Sequence, residues 1–213
     1  MADNYLEKKM EDLRMGKTGA SAPRRRLSPG AGRICFDFPP RRVLVAGGCH
    51  GIGEAIVDAY LHAGCKVAVF DTDKDKGSAM ARDKGIRYHN VDTTDCSELE
   101  KNMTGLLKAW RDIDIIVGCT SASECLSHLA DIWLSHKQRY PIPSDYGGRI
   151  IDICESNSVP ATDAIDSDVI ASLNGLGINV NVIRSDTKKG SEIASLCLLL
   201  SLPLAGGITT ADI

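Results

Sequence analysis

The segment Ala46-Gly47-Gly48-Cys49-His50-Gly51-Ile52-Gly53 constrains the fold of this chain more than any other. It follows an apolar run, Val43 to Ala46, suited to a parallel strand buried on both faces. It precedes a helix-compatible stretch from about Ile52 to Ala63, which Gly64 ends. Glycines spaced Gly47-x3-Gly51-x-Gly53 between a strand and a helix have a physical division of labour. Gly47 makes the tight turn, Gly51 lets the backbone approach a pyrophosphate, and Gly53 lets the helix pack closely on the sheet. The start of the helix adds free N–H groups and the positive end of its dipole, with Cys49, His50 and Ile52 completing the loop.

Beyond the loop, strand and helix alternate. Lys66 to Phe70 reads as a second strand, Lys74 to Lys84 as a helix, Arg87 to Asn90 as a short third strand, and Ser97 to Trp110 as a helix leading into Ile113 to Val117. Gly148 to Cys154 follows a mostly helical stretch, then a helix over Thr162 to Leu173, a strand over Asn179 to Ile183, a helix over Ser191 to Leu202, and a last strand over Gly207 to Thr210. Sequential β-α-β units close as right-handed crossovers, so the expected fold is α/β: a Rossmann-like, doubly wound parallel sheet in three α/β/α layers.

Residues 1–40 differ from the rest and read as an extension, with 41–213 as the dinucleotide-binding domain. Asn4 can cap a helix on which Leu6, Met10 and Leu13 share one face, and Gly16 can end it. A flexible basic stretch and a short strand candidate, Arg33 to Phe38, follow, and Pro39 and Pro40 break the chain before the main domain. A stripe formed by Tyr5, Leu6, Met10 and Leu13 needs a covering surface, and a second copy of the chain is the expected one, giving a homodimer or higher homo-oligomer.

The bulk numbers narrow the partners. With 213 residues and 43% hydrophobic composition the chain has material for one sizeable core. Its 25 Lys and Arg against 28 Asp and Glu leave a net charge of -3, which gives no reason to expect a nucleic-acid or membrane-surface partner. The 8 cysteines lack a CxxC pair and the N-terminus lacks an apolar signal stretch, so a reduced, cytoplasmic location is expected. The most apolar late run, Ile193 to Leu204, is too short to span a bilayer.

Asp71 closes the second strand, about twenty residues beyond the glycine turn, where a carboxylate can accept both ribose hydroxyls of an adenosine and repel a 2′-phosphate. NAD is therefore favoured over NADP as cofactor, although His50 beside Gly51 offers a partial positive charge. Cys49, Cys119 and Cys154 fall in the loop or at strand ends that face the ligand crevice. Beside His50 they have the chemistry to bind a metal or sense oxidation, but small buried packing residues is the favoured reading, and no metal is expected.

The pattern resembles the short-chain dehydrogenase/reductase family. AGGCHGIG is similar to that family's TGxxxGIG motif, with Ala46 in place of Thr, and Asn90-Val91-Asp92-Thr93 resembles the segment in which an Asp contacts the adenine ring. The resemblance therefore implies cofactor contacts at Asp92 and Thr93, and at Cys119, because Gly118-Cys119-Thr120 falls where the family has NNAG. GGRIIDICES resembles the strand that ends at the catalytic Ser, a position that falls on Glu155 or Ser156, and GINVNVI resembles the strand before a PG turn.

Family members transfer hydride with a Tyr and a Lys four residues on, placed on one helix face so that the ammonium lowers the phenol pKa. Between Ser156 and Gly177 this chain has neither residue, and a direct register puts Asp168 and Ser172 there. The substrate lid is reduced to about Arg184 to Gly190. Tyr5 and Lys9 have the right spacing but stand ahead of the nucleotide fold, and are read as coincidence. No catalytic residue is assigned. The expectation is a degenerate member that binds NAD or a related adenine nucleotide with little or no dehydrogenase activity. Its alternatives are an active oxidoreductase using Ser156, Asp168, Tyr140 or Tyr146, and an assembly protein with an empty nucleotide site.

Overall fold

In the computed structural model the described residues are 37–120, 122–141, 146–155, 158–184, 186 and 189–208. Strand β1 (Arg42–Ala46) enters helix α1 (Gly51–His62), which returns the chain to β2 (Lys66–Asp71). Helix α2 (Lys74–Lys84), β3 (Arg87–Asn90) and α3 (Cys96–Trp110) complete the first half. The second half runs β4 (Ile115–Gly118), α4 (Ser123–Arg139), β5 (Gly148–Cys154), a 3-10 turn (Ala161–Ala164), α5 (Ser167–Gly175), β6 (Ile178–Arg184) and α6 (Gly190–Leu200).

All six strands pair in parallel in the order β3-β2-β1-β4-β5-β6. The doubly wound sheet expected from the sequence is therefore the observed one. The strand order reverses between β1 and β4, and in such sheets ligands bind at the carboxyl ends of the strands at that point. Alternate side chains of each strand feed opposite faces. Leu44, Phe70 and Ile150 pack with Leu99, Met103, Leu106, Leu129 and Trp133 of α3 and α4. Val43, Val45, Val67, Val69 and Ile115 pack with Ile56, Val57 and Tyr60 of α1 and with Ile193, Cys197 and Leu200 of α6. Val43 to Ala46 are wholly buried, as a central parallel strand requires.

Local signals set the helix starts. Asp73 accepts from the Lys76 N–H at the head of α2, Asp95 from Ser97 and Glu98 at α3, and Asp166 from Asp168 at α5. The residue before α1 differs: His50 is extended and its side chain makes no cap.

Two expectations are corrected. The single helix expected over Thr162 to Leu173 is split into the 3-10 turn and α5, because the Thr162 N–H is taken by Asp152 at 3.1 Å and Asp166 caps a new helix. The strand expected from Gly207 does not begin there. Pro203–Gly207 is a 3-10 turn, and the Asn179 amide donates to the Gly206 and Ile208 carbonyls at 2.8 and 2.9 Å, while residues 209–210 lie outside the described residues. Of the strand candidate Arg33 to Phe38, only Asp37 and Phe38 are described, and they have no regular structure. The helix placed after Asn4 also lies outside the described residues.

Candidate functional site

The glycine turn leaves β1 with the Gly47 N–H donating to the Phe70 carbonyl at 2.8 Å, and Gly47 has φ +78°. A β-carbon on Gly47 would meet the Cys119 carbonyl oxygen at 2.7 Å, and one on Gly53 would meet the Gly47 oxygen at 2.1 Å. Gly53 thus lets the first turn of α1 close directly on the glycine turn. Gly51 is different: its φ is +52°, and a β-carbon there would meet nothing within 4 Å. The backbone at Gly51 faces open space beside a helix start that no side chain caps. The first N–H groups of α1 have no acceptor within the helix, as at any helix start.

Strand β2 delivers Asp71 to this turn. Its Oδ2 accepts from the Cys49 N–H at 2.9 Å and its Oδ1 from the Asp73 N–H at 3.0 Å. His50 Nε2 lies 2.8 Å from Asp73 Oδ2, and Lys76 Nζ reaches His50 Nδ1 at 3.4 Å and donates to Glu54 Oε2 at 2.7 Å. Lys84 then bridges Glu54 and Asp58 at 3.1 and 2.7 Å. The Lys76 N–H and then His50 hold Asp73 below the usual carboxylate range, and Lys76 and Lys84 do the same for Glu54. Burial, with Asp71 second, pushes the Cys49 thiol up to about 12, and burial pushes Cys119 to about 12, so both are neutral packing groups near pH 7.

On the other side of the strand-order reversal, β4 ends at Gly118, with Cys119 next in the chain, and β5 ends at Cys154. A cavity of about 250 Å³ lies between His50, Ile52 and Gly53 on one side and Cys119, Ile153, Cys154 and Glu155 on the other. A second cavity of about 400 Å³ shares Cys119, Ile153, Cys154 and Glu155 and adds Thr120, Asp152, Ser158 and Val159. Asp152 is 1% exposed, and burial raises its pKa against the lowering effect of the Thr162 and Ala161 N–H groups. Thr93 and Thr120 meet hydroxyl to hydroxyl at 3.2 Å, joining the loops after β3 and β4.

A family model described as short chain dehydrogenase matches residues 41–134. That segment, from β1 into α4, is similar to the short chain dehydrogenases that the model describes. It is similar to a sorbitol dehydrogenase from Cereibacter sphaeroides, 25% identical over 175 residues, which is 79% of this chain and 64% of that protein. It is also similar to a serine 3-dehydrogenase from Rhizobium radiobacter, 31% identical over 77 residues, 35% of this chain and 31% of that one. The chain thus spans less than two thirds of either curated relative. A solved short-chain dehydrogenase/reductase from Serratia marcescens superposes with a TM-score of 0.65 at 20% identity, covering 84% of this chain and 97% of that one.

The family match ends within α4, ahead of β5 and everything that follows. Around the glycine turn the structure brings together Gly47, Cys49, His50, Gly51, Ile52, Gly53, Asp71 and Cys119. Asp92 is exposed, with Oδ1 accepting from the Thr94 N–H and hydroxyl in a local turn at 2.9 and 2.7 Å. Asp168 stands in the first turn of α5, a helix of 9 residues without Tyr or Lys. Ser156 lies outside the described residues. Tyr140 caps the far end of α4, and Tyr146 precedes β5, packed between Arg41 and Arg149 with its hydroxyl donating to the Ser201 carbonyl at 2.8 Å. Both tyrosines are at the amino edge of the sheet, opposite the glycine turn.

Sequence reasoning missed the Glu54, Asp58, Lys76 and Lys84 network and the acidic wall formed by Asp152 and Glu155. Glu54 and Asp58 at i and i+4 on α1 were a legible signal of one acidic helix face. Nothing local announced Asp152, which is polar within an apolar strand and accepts the N–H of Thr162, ten residues later.

Proposed function

We infer that this chain is a degenerate member of the short-chain dehydrogenase/reductase family that holds NAD across Gly47 to Gly53, with the adenosine ribose at Asp71, and has little or no dehydrogenase activity. The observation that carries the binding reading is Gly51: open backbone at an uncapped helix start, next to a cavity that crosses the strand-order reversal. Asp71 supports the choice of NAD over NADP, since a carboxylate already held by two N–H groups is a fixed negative charge that a 2′-phosphate would have to approach. Cys49, His50, Ile52, Thr93 and Cys119 would line the dinucleotide, and Asp92 would reach its adenine.

Bound NAD supplies a hydride acceptor at its nicotinamide. The chain's contribution is to bind and orient: α1 directs N–H groups at the phosphates, and Asp71 fixes the ribose. What would make it an oxidoreductase is a proton relay, and neither α5 nor the cavity walls offer a phenol–ammonium pair among the described residues. Pairing of copies through the stripe Tyr5, Leu6, Met10 and Leu13 belongs to the same reading. Deleting residues 1–32 and comparing solution masses by light scattering tests it, and identical masses refute it. The binding reading itself is tested by titrating NAD and NADP into the native chain and Gly51→Val; unchanged NAD affinity in the variant overturns it.

A further inference from the structure

Two differently charged ends meet at the 250 Å³ cavity. One end is the start of α1, with its free N–H groups and His50, whose ring is braced by Asp73 and Lys76. The other is the end of β5, where Glu155 lines both this cavity and the larger one, and where Asp152 lines the larger one. Among the described lining residues of the two cavities, His50 is the only basic side chain. Arg184 approaches the same loop from β6, but its Nη1 donates to the Ser158 carbonyl at 2.8 Å and it lines neither cavity.

That polarity matches one oxidation state of a dinucleotide better than the other. The pyrophosphate is anionic in both. The nicotinamide ring is a cationic pyridinium in NAD+ and neutral in NADH. A dinucleotide laid from the glycine turn across the strand-order reversal puts its phosphates at α1 and its nicotinamide toward the ends of β4 and β5. The acid then faces a positive ring in one form and a neutral ring in the other. Asp152 is 1% exposed, its Oδ2 accepts the Thr162 N–H, and it lines only the larger cavity, whereas Glu155 is exposed and lines both, so Glu155 is the carboxylate placed to face the ring.

We propose that Glu155 makes the site selective for the oxidised dinucleotide, so that this chain binds NAD+ in preference to NADH. The proposal rests on the dinucleotide reading above and adds to it a ligand form and a residue. It also bears on why turnover is not expected. A carboxylate at this end of β5, in the lining of both cavities, opposes the negative charge that grows on a carbonyl oxygen during reduction.

The test is three titrations, with NAD+, NADH and ADP-ribose, on the native chain and on Glu155→Gln at low and at high salt. Glu155 is exposed in a loop, so the variant should fold, and a melting curve confirms that it has. The expected result is NAD+ binding about three- to tenfold tighter than NADH at low salt, with the ratio falling toward one in high salt and in the variant. ADP-ribose, which lacks the nicotinamide, binds the two chains alike. Equal affinities in the native chain, or a ratio unchanged in Glu155→Gln while ADP-ribose binds, overturns the role of Glu155 and leaves the dinucleotide reading standing. No binding of any of the three overturns both.

Discussion

The Cys49 N–H donates to Oδ2 of Asp71 at 2.9 Å, so the glycine turn and the end of β2 are held by the carboxylate that the ribose reading also needs. Each Asp71 oxygen accepts one backbone N–H and retains capacity for another donor. Replacement separates the two jobs. Asp71→Asn keeps an acceptor for Cys49 and loses the charge, whereas Asp71→Ala loses both. Loss of a charged hydrogen bond is worth about 1.5–3 kcal/mol, so NAD affinity should fall roughly tenfold or more in Asp71→Ala. The preference over NADP should vanish in both variants. Equal NAD and NADP affinities in the native chain, measured by calorimetry, would exclude Asp71 as the ribose ligand.

The glycines should divide between stability and binding. A methyl at Gly53 would drive into the Gly47 carbonyl at 2.1 Å, so Gly53→Ala must push α1 off the turn, at a cost of about 1–3 kcal/mol. A methyl at Gly51 meets no atom and carries only the strain of φ +52°, about 1–2 kcal/mol. Urea melts should therefore rank Gly53→Ala at or below Gly51→Ala in stability. A folded Gly51→Ala that binds nucleotide less well than the native chain would place the ligand at Gly51, and undiminished binding would remove it.

How much of this was legible depended on distance along the chain. The bounds expected for β3 and β5 coincide with those found, since Arg87–Asn90 and Gly148–Cys154 are runs set off by local turns. The glycine turn and Asp71 were legible because they lie within one β-α-β unit. The break before α5 was not: Ile165, Val169, Ile170 and Leu173 have helical spacing, and the N–H bond from Thr162 back to Asp152, together with the Asp166 cap, turns the chain there. The acidic wall escaped for the same reason. Glu155 becomes a neighbour of His50 only when β5 is laid beside β4 and β4 beside β1.

At the opposite edge of the sheet, Asp112 and Lys137 form a buried ion pair at 2.6 Å, and the same carboxylate accepts from Trp133 Nε1 at 3.3 Å and from the Ile113 N–H at 2.8 Å. Asp112→Ala leaves the Lys137 ammonium buried without its carboxylate, and should cost about 3–5 kcal/mol. Lys137→Met should cost less, because Asp112 keeps two N–H donors and has Arg42 at 3.9 Å. Chemical denaturation of the two variants checks the order, and equal losses would contradict it.

Stability should fall with acid through His89. Burial lowers its pKa from 6.5, Nδ1 pairs with Asn102 Oδ1 at 3.0 Å, and Nε2 is buried without a hydrogen-bond partner among the described residues. A folded-state pKa below the unfolded one means that the unfolded chain takes up the proton first. The contribution is therefore whole above about pH 6.5 and is lost as the pH falls through the folded-state value. Melting temperature should drop between pH 7.5 and 5 by less in His89→Leu than in the native chain. An identical drop in both would assign the acid sensitivity elsewhere.

The last prediction concerns turnover. In the family's chemistry a phenol must reach the substrate oxygen and an ammonium must lower its pKa from the same helix face. Here α5 begins at Ser167 under the Asp166 cap, so the positions in register for that pair, Asp168 and Ser172, are its first turn and its middle. Restoring the side chains alone, as Asp168→Tyr with Ser172→Lys, should not restore rate, because Glu155 still places a carboxylate in the lining of both cavities at the end of β5. Native chain and double variant should both stay below about 1 per second, the low end of ordinary enzymes, with NAD and a panel of alcohols and carbonyls. Adding Glu155→Ser to the double variant should raise turnover over both in the same assays. Turnover of the native chain within the ordinary range would show that another residue carries the proton, and would replace the binding-protein reading with that of an oxidoreductase of different machinery.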